Sequence, residues 1–357
     1  IDLGQVSSHE EEDDNLIGID QPPSEFDANS DTSLVAPFQD IPRANKKKRI
    51  RRKKLSDEDW AHHQLTHTPK LPGCPLCDKR KPIRVAHPNL PEDQHHSAPP
   101  VEFGDQLTAD HGFVKQNFLS RKGDYTFLTI KDRYTDYIAA FPSSDKSALS
   151  IKTGFQHYLG TASAKSVHTD NSEEFKKAFS ELREDGRNLL PTTSTPWRPQ
   201  SNGVAERCMR TVKEGTKCLL YQSGLNPVMW REAMQCFAYT HNITSTKRGE
   251  TPYKARHKNE FAGHIIPFGA LVDYLPSNPD VIATQHALGT KTKEAIFMGY
   301  WEKPGGIWSG DYLVLDIEKA RQATSFANLK LERIKEVTPQ LPHFFPLADG
   351  IISIGED

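Results

Sequence analysis

The chain has 357 residues, 36% of them hydrophobic and 26% charged, with a formal net charge of -2. That length points to two or three small domains with linkers, and a mean hydropathy of -0.64 points to sizeable segments that bury no core. No run approaches the ~18 apolar residues of a membrane span, and the N-terminus lacks the basic start and apolar stretch of a signal peptide. Five cysteines, an odd number without a secretory signal, argue against a disulfide framework and for a reducing compartment. Cys208, Cys218 and Cys236 sit singly in helix-like text and read as small buried apolar residues.

In chain order, residues 1–54 read as a disordered linker, acidic in HEEEDD and then basic in KKKRIRRKK. The basic run reads either as a solvated tail or as a nuclear-import or nucleic-acid element. Residues 55–87 carry a His/Cys cluster, and 88–100 form a Pro-rich linker. From Val101 the text turns strand-rich: FGDQLTADHGFV, YTFLTIKD and TDYIAAFP read as three strands. DKSALSIKTGFQHYLG reads as a helix that Asp145 can cap, SAKSVH as a short strand ending at Asp170, and EEFKKAFSELREDG as a second helix. NLLPTTSTPWRPQSNG reads as loop. A long helix is expected from Val204, and another over MWREAMQCFAYTHN. This order of elements predicts an α/β domain over 101–262. Beyond it, EAIFMGYW and DYLVLDI read as a hairpin in a small β-rich module, 263–335, before a Pro-rich tail, 336–357.

Three carboxylates stand out. Asp110 ends the first strand in LTADHG, Asp170 follows a strand in HTDN, and Glu206 opens a helix in QSNGVAER, with 35 residues between the second and third. Singly, each has an ordinary reading: a turn for Asp110, an Asx-turn for Asp170, a helix-dipole acid for Glu206. Asp132 and Asp136, in KDRYTDY, read as hairpin-turn or exposed-face residues.

As a set, DNSEEF, STPWRPQSNGVAER and the 35-residue gap resemble the integrase core of retroviruses and LTR retrotransposons. WREAMQCFAYTHNI, TPYKA, the Phe268-Gly269 pair and IFMGY are similar to the stretch that follows that core in copia-type elements. The resemblance implies a ribonuclease-H-like core, a mixed five-stranded sheet with flanking helices. It also implies 3′-end processing and DNA strand transfer with two Mg²⁺ or Mn²⁺ ions on Asp110, Asp170 and Glu206. Double-stranded DNA, a homo-oligomer and the nucleus, or a cytoplasmic particle, follow as expectations. Hard cations and carboxylate oxygens suit that chemistry on general grounds. One departure is Ser172, where the family usually has a Gly that permits a turn with positive φ. The alternatives are a related nuclease or transposase of the same fold, and a non-catalytic DNA-binding relic.

Arg210 and Lys213 follow Glu206 at i+4 and i+7, one helix face, and are expected to hold phosphates. Trp197 suits base stacking or packing under the loop, and Gln200 and Asn202 suit loop order or DNA contact. His63, His67, Cys74 and Cys77 combine an i, i+4 His pair with a CxxC, the donor set of a tetrahedral zinc site. The resemblance supports zinc through the family's N-terminal His-His-Cys-Cys domain. However, only six residues separate His67 from Cys74, too few for the family's three-helix module, so a short knuckle is expected. His62, His87, His95 and His96 are candidate replacements for one ligand, and a free CxxC in a flexible arm is the plain alternative.

Overall fold

The strand-rich text after Val101 folds as three consecutive antiparallel strands: β1 (Gln106–Phe113), β2 (Thr126–Asp132) and β3 (Ile138–Ser143). The computed structural model describes residues 57–71, 73–81, 99–114, 118–193, 203–246, 249–283, 286 and 288–353. The expectations for 1–54, for most of the 88–100 linker, and for His87, His95, His96, Trp197, Gln200 and Asn202 fall outside these residues. Two short helices precede the sheet, α1 (Asp57–Thr66) and α2 (Pro75–Arg80).

After β3, α3 (Ala148–Leu159) carries the chain across to β4 (Ser166–Thr169), which pairs parallel with β1. Then α4 (Glu173–Glu184) leads to β5 (Leu190–Thr193), parallel to β4. The sheet order is β3-β2-β1-β4-β5. An antiparallel three-strand meander extended by two parallel crossover strands is the ribonuclease-H-like arrangement.

Strand alternation decides which helix each side chain meets. His111 and Leu128 lie opposite each other and face α3 and α4. The His111 ring is 5.1 Å from Phe175, and at Gly154 a Cβ would stand 2.9 Å from Leu128. Phe127 faces the other way, toward α5 (Gly203–Ser223) and α6 (Trp230–Thr244), 6.4 Å from Trp230.

A second sheet follows, fully antiparallel, in the order β10-β6-β7-β8-β9. Its strands are β6 (Leu271–Tyr274), β7 (Lys293–Lys303), β8 (Ile307–Asp316), β9 (Glu332–Ile334) and β10 (Val337–Pro339). Helix α6 is buried on nearly every face because it serves both sheets: Tyr239 lies 4.9 Å from Tyr300, and Cys236 packs on Gly299. The buried side chains of both sheets form one apolar cluster. No helix among the described residues is long and apolar enough to cross a membrane.

Several expectations are corrected. Leu190–Thr193 is an edge strand, not loop. Ser147, not Asp145, caps α3, accepting from the Ser150 N–H, while Asp145 braces the cap by accepting from the Ser147 N–H at 3.0 Å. Asp132 is fully buried, not exposed: it accepts from the Gly104 N–H at 3.0 Å and from the Thr135 N–H and hydroxyl at 2.7 Å. Burial pushes its carboxyl above the usual range. Ser172 needs no left-handed turn, because with φ -76 it is the extended N-cap of α4. The Pro-rich stretch from 336 supplies β10, and Phe345, Leu347 and Ile352 pack on the core.

The β7–β8 turn clamps onto the first sheet through glycines. Gly160 closes α3 at φ 58, and a Cβ there would come within 2.7 Å of the Gly305 nitrogen. Gly305 donates its N–H to the His157 carbonyl at 2.7 Å, and the Tyr137 hydroxyl donates to the Gly306 carbonyl at 3.0 Å. Gly160→Ala combines a left-handed φ that L side chains rarely adopt with a backbone clash and is expected to destabilise by about 2 kcal/mol or more. A thermal midpoint equal to wild type would contradict this account of the clamp.

Candidate metal centres and nucleic-acid face

Asp110 lies opposite Thr129 in the β1–β2 ladder, on the sheet face that carries Phe127. That face meets α5. The parallel register of β1 with β4 matches Thr108 to His168. The pairing ends there; Asp110 lies two residues further along β1, and Asp170 lies one residue past the end of β4. The Asp110 carboxylate accepts from the His111 N–H at 2.8 Å. Asp170 makes a long Asx-type contact with the Ser172 N–H at 3.4 Å. Glu206 stands exposed in the first turn of α5. The three carboxylates do not close into one ligand cluster among the described residues. The fold puts Asp110 on β1 and Asp170 just beyond the neighbouring parallel strand, and leaves Glu206 exposed at the start of α5.

Arg210 is exposed, as a phosphate contact requires. Lys213 is not: its ammonium turns inward, 5.4 Å from the centre of the Phe127 ring. Burial lowers its pKa, nearby Lys217 adds to this, and Asp110 opposes it. Lys213 is thus turned toward the sheet, packed on Phe127, with Asp110 among the charges it feels. The i, i+7 spacing could not tell an inward lysine from an outward one.

Behind Asp110, the half of the sheet facing α4 holds His111, buried, with its pKa pushed down to about 4, chiefly by burial and next by Lys146. Burial likewise holds His241 and His257 at about 4. Their unfolded pKa is about 6.5, so the unfolded state binds more protons between those values. Their neutral burial therefore stabilises the fold fully above about pH 6.5, and that stability is lost as pH falls toward 4. The urea midpoint should drop measurably from pH 7.5 to pH 4.5; a flat profile would contradict neutral burial of these rings.

The His/Cys segment forms a second site. Pro75 starts α2, and the Cys77 N–H is shared with the Cys74 sulfur, so CxxC closes as a helix cap. His63 lies in the last turn of α1, and the chain turns at His67 with φ 52. All four side chains are buried, and their ligand atoms lie within 4.8 Å of one another. Cys77 Sγ is 3.4 Å from His63 Nε2, and Cys74 Sγ is 3.6 Å from His67 Nδ1. A zinc tetrahedron with arms of about 2.0–2.3 Å has edges of roughly 3.3–3.8 Å, so these two His–Cys separations match such edges, and the four donors fit the ion in chemistry. Burial lowers the His63 pKa to about 4 and lowers that of His67, keeping both rings in the neutral form a metal needs. His62 is exposed and outside the cluster. Sequence reading missed Gln222, whose Oε1 lies 2.7 Å from His67 Nε2 across 155 residues of chain.

No family model matches the chain. A curated relative does: the retrovirus-related Pol polyprotein from transposon RE1 of Arabidopsis thaliana, 25% identical over 209 residues. The chain resembles the integrase region of a copia-type Pol polyprotein. The match takes in 55% of this chain and only 13% of that polyprotein. Among solved structures, the catalytic core domain of BIV integrase aligns at 19% identity and TM-score 0.34, over 43% of this chain and 95% of its own. The HTLV-2 integrase catalytic core, in complex with magnesium and in a trimeric form, aligns at 16% and 0.36, over 44% and 99%. Likeness at that level adds nothing to what the strand order of this integrase-like chain already establishes.

Proposed function

We propose that this integrase-like region joins DNA ends to target DNA, with Asp110, Asp170 and Glu206 as its carboxylate set. The observation that supports the reading is that Asp110 stands on β1, on the face that meets α5, the helix bearing Glu206, while Asp170 directly follows β4, the strand parallel to β1. Carboxylate oxygens are the donors that Mg²⁺ or Mn²⁺ prefers. Two such ions, when bound, would activate the attacking oxygen and stabilise the leaving one. The chain's own residues orient that set. The Thr129 hydroxyl donates to the Asp110 carbonyl at 3.2 Å and ties β2 to the acid-bearing strand. Lys213 packs beside the set on the Phe127 ring, and Glu206 is exposed to solvent.

The exposed Arg210, one turn beyond Glu206, holds a DNA phosphate in this reading, and Trp197, Gln200 and Asn202 are further DNA contacts in it. Arg210→Ala should therefore weaken binding of any duplex and flatten the salt slope by about 0.9. An unchanged slope would remove Arg210 from the interface. The His63, His67, Cys74 and Cys77 cluster holds one zinc ion. The protein acts as a multimer on chromosomal DNA in the nucleus.

The test is joining of a short duplex with a free 3′-hydroxyl to supercoiled plasmid in Mg²⁺ or Mn²⁺. Metal-dependent joined product is expected. Duplex binding without any joining, across element-end and unrelated sequences, would leave a DNA-binding relic in its place.

A further inference from the structure

The knuckle does not hang from the chain as an independent arm; it is seated on the C-terminal half of α5. The Arg80 guanidinium lies 5.0 Å over the Tyr221 ring. Lys81, itself buried, donates from Nζ to the His67 carbonyl at 2.7 Å and so holds the turn that presents the His67 ring. Cys218 is fully buried beside Cys74 and Cys77 without joining the ligand set. At the centre of this contact is the buried hydrogen bond between His67 Nε2 and Gln222 Oε1.

A neutral imidazole carries one proton. The Gln222 carbonyl oxygen can only accept, so His67 donates from Nε2. The lone pair then sits on Nδ1, the nitrogen that faces both sulfurs, Cys74 at 3.6 Å and Cys77 at 3.9 Å. The opposite tautomer would point its proton at the thiolates and leave two acceptors facing each other. A metal-ligating histidine typically donates its second N–H to such a partner, which fixes both tautomer and ring orientation.

We infer that Gln222 is the outer-sphere positioning residue of the zinc cluster, and that through it metal loading braces α5, the helix that carries Glu206. The inference rests on the cluster holding zinc. From Gln222 to Glu206 is 222 - 206 = 16 residues, roughly 24 Å along one helix at about 1.5 Å per residue. The knuckle thus grips one end of α5 and the candidate acid stands at the other.

The experiment uses the full chain, with zinc content by atomic emission and zinc affinity by competition with a chromophoric chelator. Wild type is expected to carry one zinc per chain. Gln222→Leu should bind zinc 10–100-fold more weakly, the usual loss for an outer-sphere partner. Gln222→Glu, which keeps an acceptor in place, should match wild type or bind more tightly, and it carries the test even where the Leu variant folds poorly. Hydrogen exchange should show residues 216–223 of wild type losing protection when zinc is chelated. Zinc absent from wild type would overturn the metal site itself. Zinc present, with Gln222→Leu retaining wild-type affinity or Gln222→Glu weakened tenfold, would overturn the role of Gln222 alone. Protection of 216–223 that ignores chelation would overturn the brace.

Discussion

Asp110→Asn is expected to abolish metal-dependent joining while duplex binding and the thermal midpoint stay near wild type. The substitution keeps the side-chain shape and removes the charge. Asp110 is only half-buried, and the packing around it, Phe127 under Lys213 on one side and His111 on Phe175 on the other, does not depend on that charge. What is lost is the anionic oxygen on which the proposed two-ion chemistry depends. Removal of one preorganised electrostatic group typically costs on the order of 10²–10³ in rate, and loss of a proposed metal ligand should cost at least that. Asp170→Asn and Glu206→Gln should behave alike, and residues that act as a unit are not additive, so Asp110→Asn with Glu206→Gln should fall little further than either alone. Single-turnover joining, with duplex binding measured in parallel, is the readout. Activity within tenfold of wild type in either Asp variant would sink the assignment. Glu206 is the more exposed member. An active Glu206→Gln beside two dead Asp variants would therefore move the third ligand elsewhere and leave the strand pair standing.

The parts of this fold that were legible in the sequence are those with dense, local periodicity. The helices at Ala148–Leu159, Glu173–Glu184 and Trp230–Thr244 carry apolar residues at helical spacing, and the long helix from Val204 differs from expectation by one residue. Leu190–Thr193 was not legible because all four residues are exposed and a Pro interrupts them; only pairing with β4 makes them a strand. Asp132 misled because a polar letter at a hairpin normally faces water, whereas here it gathers three donors, one of them the Gly104 N–H from outside its own turn. The candidate sites divide the same way. The His/Cys donors lie within fifteen residues of chain and the acid spacing is a linear pattern, so both could be picked out as candidates. The inward aim of Lys213 and the Gln222 contact depend on how α5 is rotated against its neighbours. That rotation is set by the buried face Cys208, Val212, Gly215, Cys218 and Leu219 acting together with the sheet, and no local text states it.

Cys77→Ser is expected to release zinc and unfold the knuckle while the two sheets remain folded. Residues 57–81 bury little that could hold them alone. Besides the ligand cysteines, Leu65 is the apolar side chain buried among the described residues of that segment. Burying one leucine contributes about 1.5–3 kcal/mol, whereas ordering a residue's backbone costs about 1–2 kcal/mol, and the segment orders some two dozen of them. The contacts to α5 and α6 narrow that gap but leave several buried polar groups, His63, His67 and Lys81, to be stabilised in an apolar seat. Zinc binding in small Cys/His peptides supplies on the order of 10–16 kcal/mol, which is the scale required. Serine keeps the size of Cys77 and removes the thiolate, so a loss traced to this change is a loss of metal. Limited proteolysis should cut the variant, and chelator-treated wild type, within 57–81, and the fragment beyond 100 should retain its cooperative unfolding transition. The two sheets share one apolar cluster that owes nothing to the knuckle. A knuckle that resists protease without zinc would show that docking on α5 suffices, and the metal would then be a passenger in a seat the helices had already built.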